Sequence, residues 1–331
     1  MAQDDTKKEA LFNEVKGSLF EYLVARKIAT QGEAELLFQR SLDQNYLTVL
    51  SQQDRMVRQF YPEMLTFLDA VSTQTTSSII EALGEVPREP RLTGKFSNSE
   101  AAGELSEADL LVQLKGRILP LSLKLNKKNA FVNTKSGGIK SFFLQYFSFL
   151  SSETQVKFNQ LVDREFSRMG AELYGLHEME WSGGFAEWVQ LGHSELPGEL
   201  ERSERALLHA YYARISLEMQ KIFEKAKEQD PVQFGLALGP LMGLGRPDML
   251  QVICFHDMKQ GHEASIEIHD FKELAPLLDS AQIMPHGAKA SVEIRAGHWT
   301  LQVRVKPMNK FTTTAIKINC SVRVLRPPSG A

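Results

Sequence analysis

The apolar pattern of this chain changes period near residue 108, and that change narrows the folds open to it. Before it, apolar residues return at helical spacing. Leu11, Val15, Leu19, Tyr22, Leu23 and Ile28 mark a helix over 5–29, and further helical patterns run over about 32–60 and 62–84. A Pro-, Gly- and Ser-rich stretch, 85–106, reads as a loop. Then DLLVQL, KGR and ILPLSLKL read as a β-hairpin turning at Lys115-Gly116-Arg117, with Pro120 making its second strand irregular near the start. Residues 126–138 (NKKNAFVNTKSGG) read as a polar, basic loop, and Gly137-Gly138 opens a helix over about 139–150. Helical pattern dominates 153–228, with breaks at Gly183-Gly184 and Pro197-Gly198. GLALGPLMGLGRPD lacks the lysine and the spacing of a phosphate-binding loop and reads as turns. MLQVICFHD (249–257) has the unbroken apolar character of a fully buried strand, and ASIEIHDF, ASVEIRA, WTLQVRVKP and AIKINCSVRVL alternate as strands. Helices and strands so interleaved predict an α/β (α+β) chain.

Charge is segregated along the chain. Leu110–Ser152 holds no acid and seven cations: Lys115, Arg117, Lys124, Lys127, Lys128, Lys135 and Lys140. Ile294–Ala331 holds no acid and seven more: Arg295, Arg304, Lys306, Lys310, Lys317, Arg323 and Arg326. Those fourteen positive charges, in a chain of net charge −3, leave the remainder at −17. A near-neutral protein sorted in this way points to a basic surface aimed at a polyanion, against the plainer reading of two solvated faces paired with acids elsewhere. Other classes lose ground. Cys254 and Cys320 stand alone in apolar contexts, which argues against a thiolate zinc site or a disulfide framework. The histidines show no HExxH spacing, and no Gly-x-Ser-x-Gly elbow is present. The N-terminus lacks a signal-peptide pattern and no apolar run is long enough to cross a bilayer, so the expectation is a cytoplasmic protein with no membrane partner.

Three pieces carry chemistry: Lys16-Gly17-Ser18-Leu19-Phe20-Glu21 on the first helix, Asp109 at the mouth of the hairpin's first strand, and Ser122-Leu123-Lys124 on its second. Residues two apart on a strand share a face, so Ser122 and Lys124 point together while Leu123 points to the core and keeps its carbonyl available. Asp109 on the neighbouring strand lies within reach. Lys124 sits in LSLKL, an apolar strand where an ammonium is costly without a partner. Hydrolysis of a phosphodiester needs such a set. Carboxylates and a carbonyl are hard oxygen ligands for a divalent cation, and a lysine neutralises charge that develops on the phosphate.

D-(x12)-SLK resembles the core of the PD-(D/E)xK, restriction-endonuclease-like nucleases, with an acid opening one strand and a short acid-x-Lys motif on the next. KGSLFE resembles the helix that donates a glutamate in archaeal Holliday-junction resolvases and related restriction-type enzymes. The resemblance covers residues 11–30 and 105–150, with MLQVICFHD as a further core strand. It implies a restriction-endonuclease-like mixed sheet core over 1–150 with a helical insertion at about 32–84, a second helical insertion over 151–248, and a final core strand with a β-rich DNA-contacting region over 249–331. It also implies a Mg²⁺-dependent deoxyribonuclease, with Mn²⁺ as an alternative ion, acting in restriction, phage defence or phage DNA processing. Asp109, Glu21 and the Leu123 carbonyl would hold metal, and Lys124 would be the catalytic lysine. Gly17 would allow close approach of helix and sheet, and Ser18 would touch a phosphate. The pattern departs from the family at two places. Ala108 stands for the proline, and Ser122 stands for the first acid of (D/E)xK, as in SxK enzymes whose missing acid comes from elsewhere. Glu21 is the substitute expected here, with Glu153 a second choice. The rival reading is a non-catalytic nucleic-acid-binding protein on a decayed nuclease fold.

DNA is the expected partner, with RNA open, and its contacts are expected from Lys127, Lys128, Asn129, Asn133, Thr134 and Lys135 in the first basic segment. Lys306, Asn309, Lys310, Thr312 and Lys317 are expected to do the same from a C-terminal β-hairpin whose loop meets phosphates. A homodimer suits two-strand cutting of two-fold DNA. His256-Asp257, Trp181 and Trp188 read as strand-end and core residues.

Overall fold

The computed structural model describes residues 2–93, 108–128, 130–256, 264–307 and 309–325. The chain is α+β, built around two separate five-stranded sheets. It divides into two compact units: one from Met1–Ala130 with Gly243–Glu273, the other from Phe131–Met242 with Leu274–Ala331. These borders differ from those expected of the sequence, because the segment after the hairpin joins the second unit and not the first. No described helix is long and apolar enough to cross a membrane.

The first unit begins with α1 (Ala2–Gln31), α2 (Glu35–Ser41), α3 (Gln44–Phe60) and α4 (Pro62–Leu83). The pattern expected as one helix over 32–60 is two, because Asp43 caps a new start by accepting from the N–H groups of Asn45 and Tyr46. Pro62 opens α4, and Gly84, at φ +68°, closes it in the left-handed conformation glycine favours. The segment expected as loop contains β1 (Arg88–Leu92), which pairs antiparallel with β2 (Leu110–Leu114). β2 turns through Lys115-Gly116, with Gly116 at φ +83°, into β3 (Arg117–Lys127). β5 (Leu250–His256), the strand foreseen in MLQVICFHD, lies parallel to β3, and β6 (Ala264–Asp270) closes the sheet antiparallel to it. Pro120 sits one residue before β3 gains β5 as its second neighbour at Leu121, where a missing N–H costs least.

The period-two alternation of these strands sorts the sheet into two faces. Leu119, Leu121 and Leu123 of β3, with Val252 and Cys254 of β5, share one core with Val15, Leu19, Phe20 and Val24 of α1 and Phe67, Leu68 and Val71 of α4. The other face carries Ser122, Lys124 and Asn126, whose register partners on β5 are Gln251, Ile253 and Phe255.

In the second unit, β4 (Val132–Gly138), β10 (Ile316–Val324), β9 (Trp299–Pro307), β8 (Ser291–Ala296) and β7 (Gln282–Ile283) form an antiparallel sheet in that order. The segment expected as a basic loop is thus largely strand, and Gly137-Gly138 ends β4 and does not open a long helix. A short 3₁₀ turn (Ile139–Ser141) and α5 (Phe142–Tyr146) follow. Then come α6 (Ser152–Leu176), α7 (Ala186–Gln190), α8 (Arg202–Gln229) and α9 (Pro231–Leu241). α9 occupies part of the stretch expected as turns. Its start is set by Pro231 at the first position and Asp230 accepting from Gln233 N–H, while Pro240 falls in its last turn. α10 (Phe271–Leu278) follows β6. α8 lies against β7, β8 and β9. The core beneath it holds Ile215, Met219 and Phe223 of α8 and Leu301, Val303, Ile318 and Val322 of the sheet, all buried.

Candidate active site

Asp109 is the residue before β2. Its N–H donates to Leu121 O at 2.9 Å and its carbonyl accepts from Thr93 N–H at 3.2 Å, so its backbone is tied on both sides. The tight turn at Gly116 sets the hairpin register, and that register brings Asp109 beside the SLK triplet. One carboxylate oxygen, Oδ2, takes three donors: Leu123 N–H at 2.7 Å, Lys124 Nζ at 3.0 Å and Ser122 Oγ at 3.2 Å. The Asp109 and Lys124 side chains are 21% and 24% exposed, so the ion pair is shielded but not sealed. Leu123 turns its side chain into the core, and on a strand a residue's N–H and C=O project to the same edge. Its carbonyl therefore points to the Asp109 edge. Asp109, Ser122, Leu123 and Lys124 thus come together as their spacing predicts.

Three polar residues extend this face along the sheet, and sequence reasoning missed them. Ser122 is in register with Gln251, and Gln251 with His269; Lys124 is in register with Ile253, and Ile253 with Glu267. Glu267 and His269 are bonded to each other at 3.2 Å, their side chains 11% and 12% exposed, and His269 Nδ1 also lies 3.5 Å from Glu273. Gln251 is fully buried. The available signal was the alternation in SIEIHD, which puts Glu267 and His269 on one face, and a lone glutamine inside an apolar strand.

α1 lies over the opposite, leucine-lined face. Glu21 is half-buried there, and its charge acts on Tyr46 of α3, where burial first and Glu21 second push the phenol well above its ordinary range. Gly17 does not serve close helix–sheet approach: a Cβ placed on it would meet nothing within 4 Å. Lys16, on the same helix, is only 7% exposed. Burial and, to a lesser degree, the nearby Lys127 hold its ammonium below the usual lysine range. Glu153 belongs to the second unit and pairs with Lys157 at 2.8 Å.

No protein-family model, curated protein or solved structure matches the chain. Its chemistry therefore has to be argued from these residues. Asp109 carboxylate, Ser122 hydroxyl and Leu123 carbonyl are hard oxygens of the kind Mg²⁺ accepts, with one carboxylate where such sites commonly use more. Among the described residues no group of three His, Cys, Asp or Glu side chains is gathered closely enough to hold a metal ion. A cation here would rest on Asp109, neutral oxygens and water.

The residues expected to touch nucleic acid fall in different places. Asn129 lies outside the described residues. Lys127 ends β3, and Lys128 N–H donates to His256 O at 3.0 Å. Thr134 Oγ1 is spent on the carbonyls of Leu241 and Cys320, at 2.6 and 3.1 Å. Asn133 Oδ1 accepts from Ser321 Oγ at 2.9 Å, and Lys135, also on β4, is partly buried. The C-terminal hairpin forms as expected, but its loop is anchored to the protein. Lys310 pairs with Glu195, Thr312 Oγ1 donates to the same carboxylate at 2.6 Å, and Phe311 between them is buried. Those two partners, Lys310 first, hold Glu195 below the usual carboxylate range. Asn309 lies in the same loop, and Lys306 and Lys317 stand on the strands.

Proposed function

We propose that this chain is a divalent-cation-dependent nuclease that hydrolyses DNA phosphodiester bonds at the Asp109–Lys124 site. The observation that carries the reading is the shared oxygen: Asp109 Oδ2 gathers Leu123 N–H, Ser122 Oγ and Lys124 Nζ at one end of the hairpin. The resemblance to PD-(D/E)xK nucleases leads one to expect a further core strand after the crossover, and β5 pairs with β3. Asp109, with the Leu123 carbonyl and the Ser122 hydroxyl, would hold Mg²⁺ or Mn²⁺. Such an ion, when bound, lowers the pKa of a coordinated water and stabilises the leaving oxygen. Lys124 stands against Asp109 by its ion pair and presents an ammonium to the negative charge that grows on the phosphate. Leu123 N–H orients the carboxylate. Glu21, expected as the second carboxylate, belongs to α1 over the opposite face of the sheet, so Asp109 is the one carboxylate this reading uses.

A second reading is favoured by one observation, the serine at position 122 where the family motif has an acid. On that reading the chain binds nucleic acid without cutting it. Incubation with supercoiled plasmid, linear duplex and single-stranded DNA in Mg²⁺ or Mn²⁺ separates the two. Cleavage by the wild type is expected, with a loss of at least about a hundredfold in Lys124→Ala and Asp109→Asn and in chelator. Intact substrates with binding retained would move the assignment to the non-catalytic reading.

A further inference from the structure

The antiparallel sheet of the second unit has one face against α8 and another that carries Arg304, Lys306 and Lys317. Lys306 and Lys317 are register partners on β9 and β10, and Arg304 is the partner of Asn319 one position further along that face. Partners on adjacent antiparallel strands stand about 4.5–5.5 Å apart at Cα, so the three cations form one block. Like charges directly opposite one another weaken a sheet, and a fold normally interposes an acid. Among the described residues none of the three has a carboxylate partner. Arg304 donates to Gln302 Oε1 at 2.6 Å, a neutral acceptor. Burial first, and then Lys317 and Arg304, pull the Lys306 ammonium below the usual lysine range. Polar groups flank the block: Ser136 Oγ donates to Asn319 Oδ1 at 2.9 Å, and Ser136 is exposed. The adjoining loop contrasts with it, because Lys310 and Thr312 are already satisfied by Glu195.

We infer that the Arg304–Lys306–Lys317 strip is a docking surface for the phosphate backbone of nucleic acid, and that the hairpin loop beside it is not. A ladder of cations across two strands, with no carboxylate partner among the described residues, suits a repeating anion, which supplies negative charge without sequence readout. The inference rests on the nucleic-acid part of the function proposed above but not on cleavage.

The test measures binding of the full chain to labelled duplex DNA by fluorescence anisotropy, in chelator, across a range of salt. Wild type is compared with Arg304→Gln/Lys306→Gln/Lys317→Gln and with Lys310→Gln. The triple variant is expected to bind at least about tenfold more weakly and to lower the slope of log K against log salt by about 2.7, since each neutralised phosphate contact contributes about 0.9. Lys310→Gln should stay within about twofold of wild type, as a residue engaged elsewhere would. Unchanged affinity and slope in a triple variant with native circular dichroism would overturn the inference. So would wild type that fails to bind duplex, or that binds polyglutamate as tightly as DNA, which would point to an acidic protein partner. If the triple variant does not fold, Lys306→Gln alone must lower the slope by about 0.9. DNA binding that depends on the strip, without cleavage in Mg²⁺, sinks the nuclease reading and leaves this one standing. Cleavage with a full-strength triple variant does the reverse.

Discussion

The two sheets handle charge in opposite ways. In the first unit, Lys124 is matched by Asp109 at 3.0 Å on a partly buried face, in a pairing fixed by strand register, and the same face carries the His269–Glu267 hydrogen bond at 3.2 Å. In the second, Lys306 faces Lys317 across the ladder and no described acid answers either. Partnered charge held in a shielded place is positioned chemistry, since an unpartnered ion there would be too costly. Like charge set face to face on a half-buried sheet face, as Lys306 and Lys317 are, is a standing cost that an arriving anion relieves. Substitutions on the first sheet should therefore damage the fold and the reaction together, whereas substitutions on the second should damage binding alone.

Asp109→Ala gives the largest effect. It removes the shared acceptor of three donors and leaves an ammonium and a backbone N–H in a shielded place. A loss of about 3 kcal/mol is expected, from stranding a partly buried charge and its hydrogen bonds. Urea unfolding followed by circular dichroism measures it, beside Arg304→Ala, for which a change within about 0.5 kcal/mol is expected. Equal losses in the two variants would erase the distinction between the sheets.

Much of the first site was legible because a strand's period is short and its turn is local. Asp109, Ser122, Leu123 and Lys124 lie within sixteen residues joined by a two-residue turn, so alternation alone places them on shared or opposed faces. Gln251, Glu267 and His269 were not legible, because they reach that face only through a parallel crossover of more than a hundred residues. The basic segment 126–138 misled for a related reason. Thr, Asn and Lys are loop-like in composition, but β10 supplies a strand partner from nearly two hundred residues away, and tertiary pairing overrides local preference. Asp43 was a cap hidden inside a continuous helical pattern, and one residue split the helix. Lys310 and Thr312 looked like phosphate ligands because their acceptor, Glu195, lies more than a hundred positions earlier.

That anchor sharpens the comparison at a smaller scale. Glu195 titrates below its ordinary range when folded, because Lys310 and Thr312 favour its charged form. Its contribution to stability is therefore fully present above the unfolded glutamate range and is lost as pH falls through the lowered folded value. Glu195→Gln should melt below wild type at neutral pH, and the gap should close in acid beneath the ordinary glutamate range. A gap constant with pH would mean that shape, and not charge, holds the loop, and the loop's lysine would then be free to serve as part of the binding strip.

Lys306→Thr should give the smallest change and the most informative sign. It removes one of two like charges standing opposite each other and replaces a partly desolvated ammonium with a residue that favours strands. A gain of about 0.5 kcal/mol is expected, which for a unit of this size is about 1–2 °C in Tm. Affinity for duplex DNA should fall in the same variant. Opposite movement of stability and binding is what a surface kept for a polyanion must show, because the charge that attracts the ligand is the charge that strains the sheet. If Lys306→Thr instead melts earlier and binds as before, its methylene stem is a packing element. The strip would then be part of the fold, and the contrast between the two sheets would rest on the Asp109–Lys124 face alone.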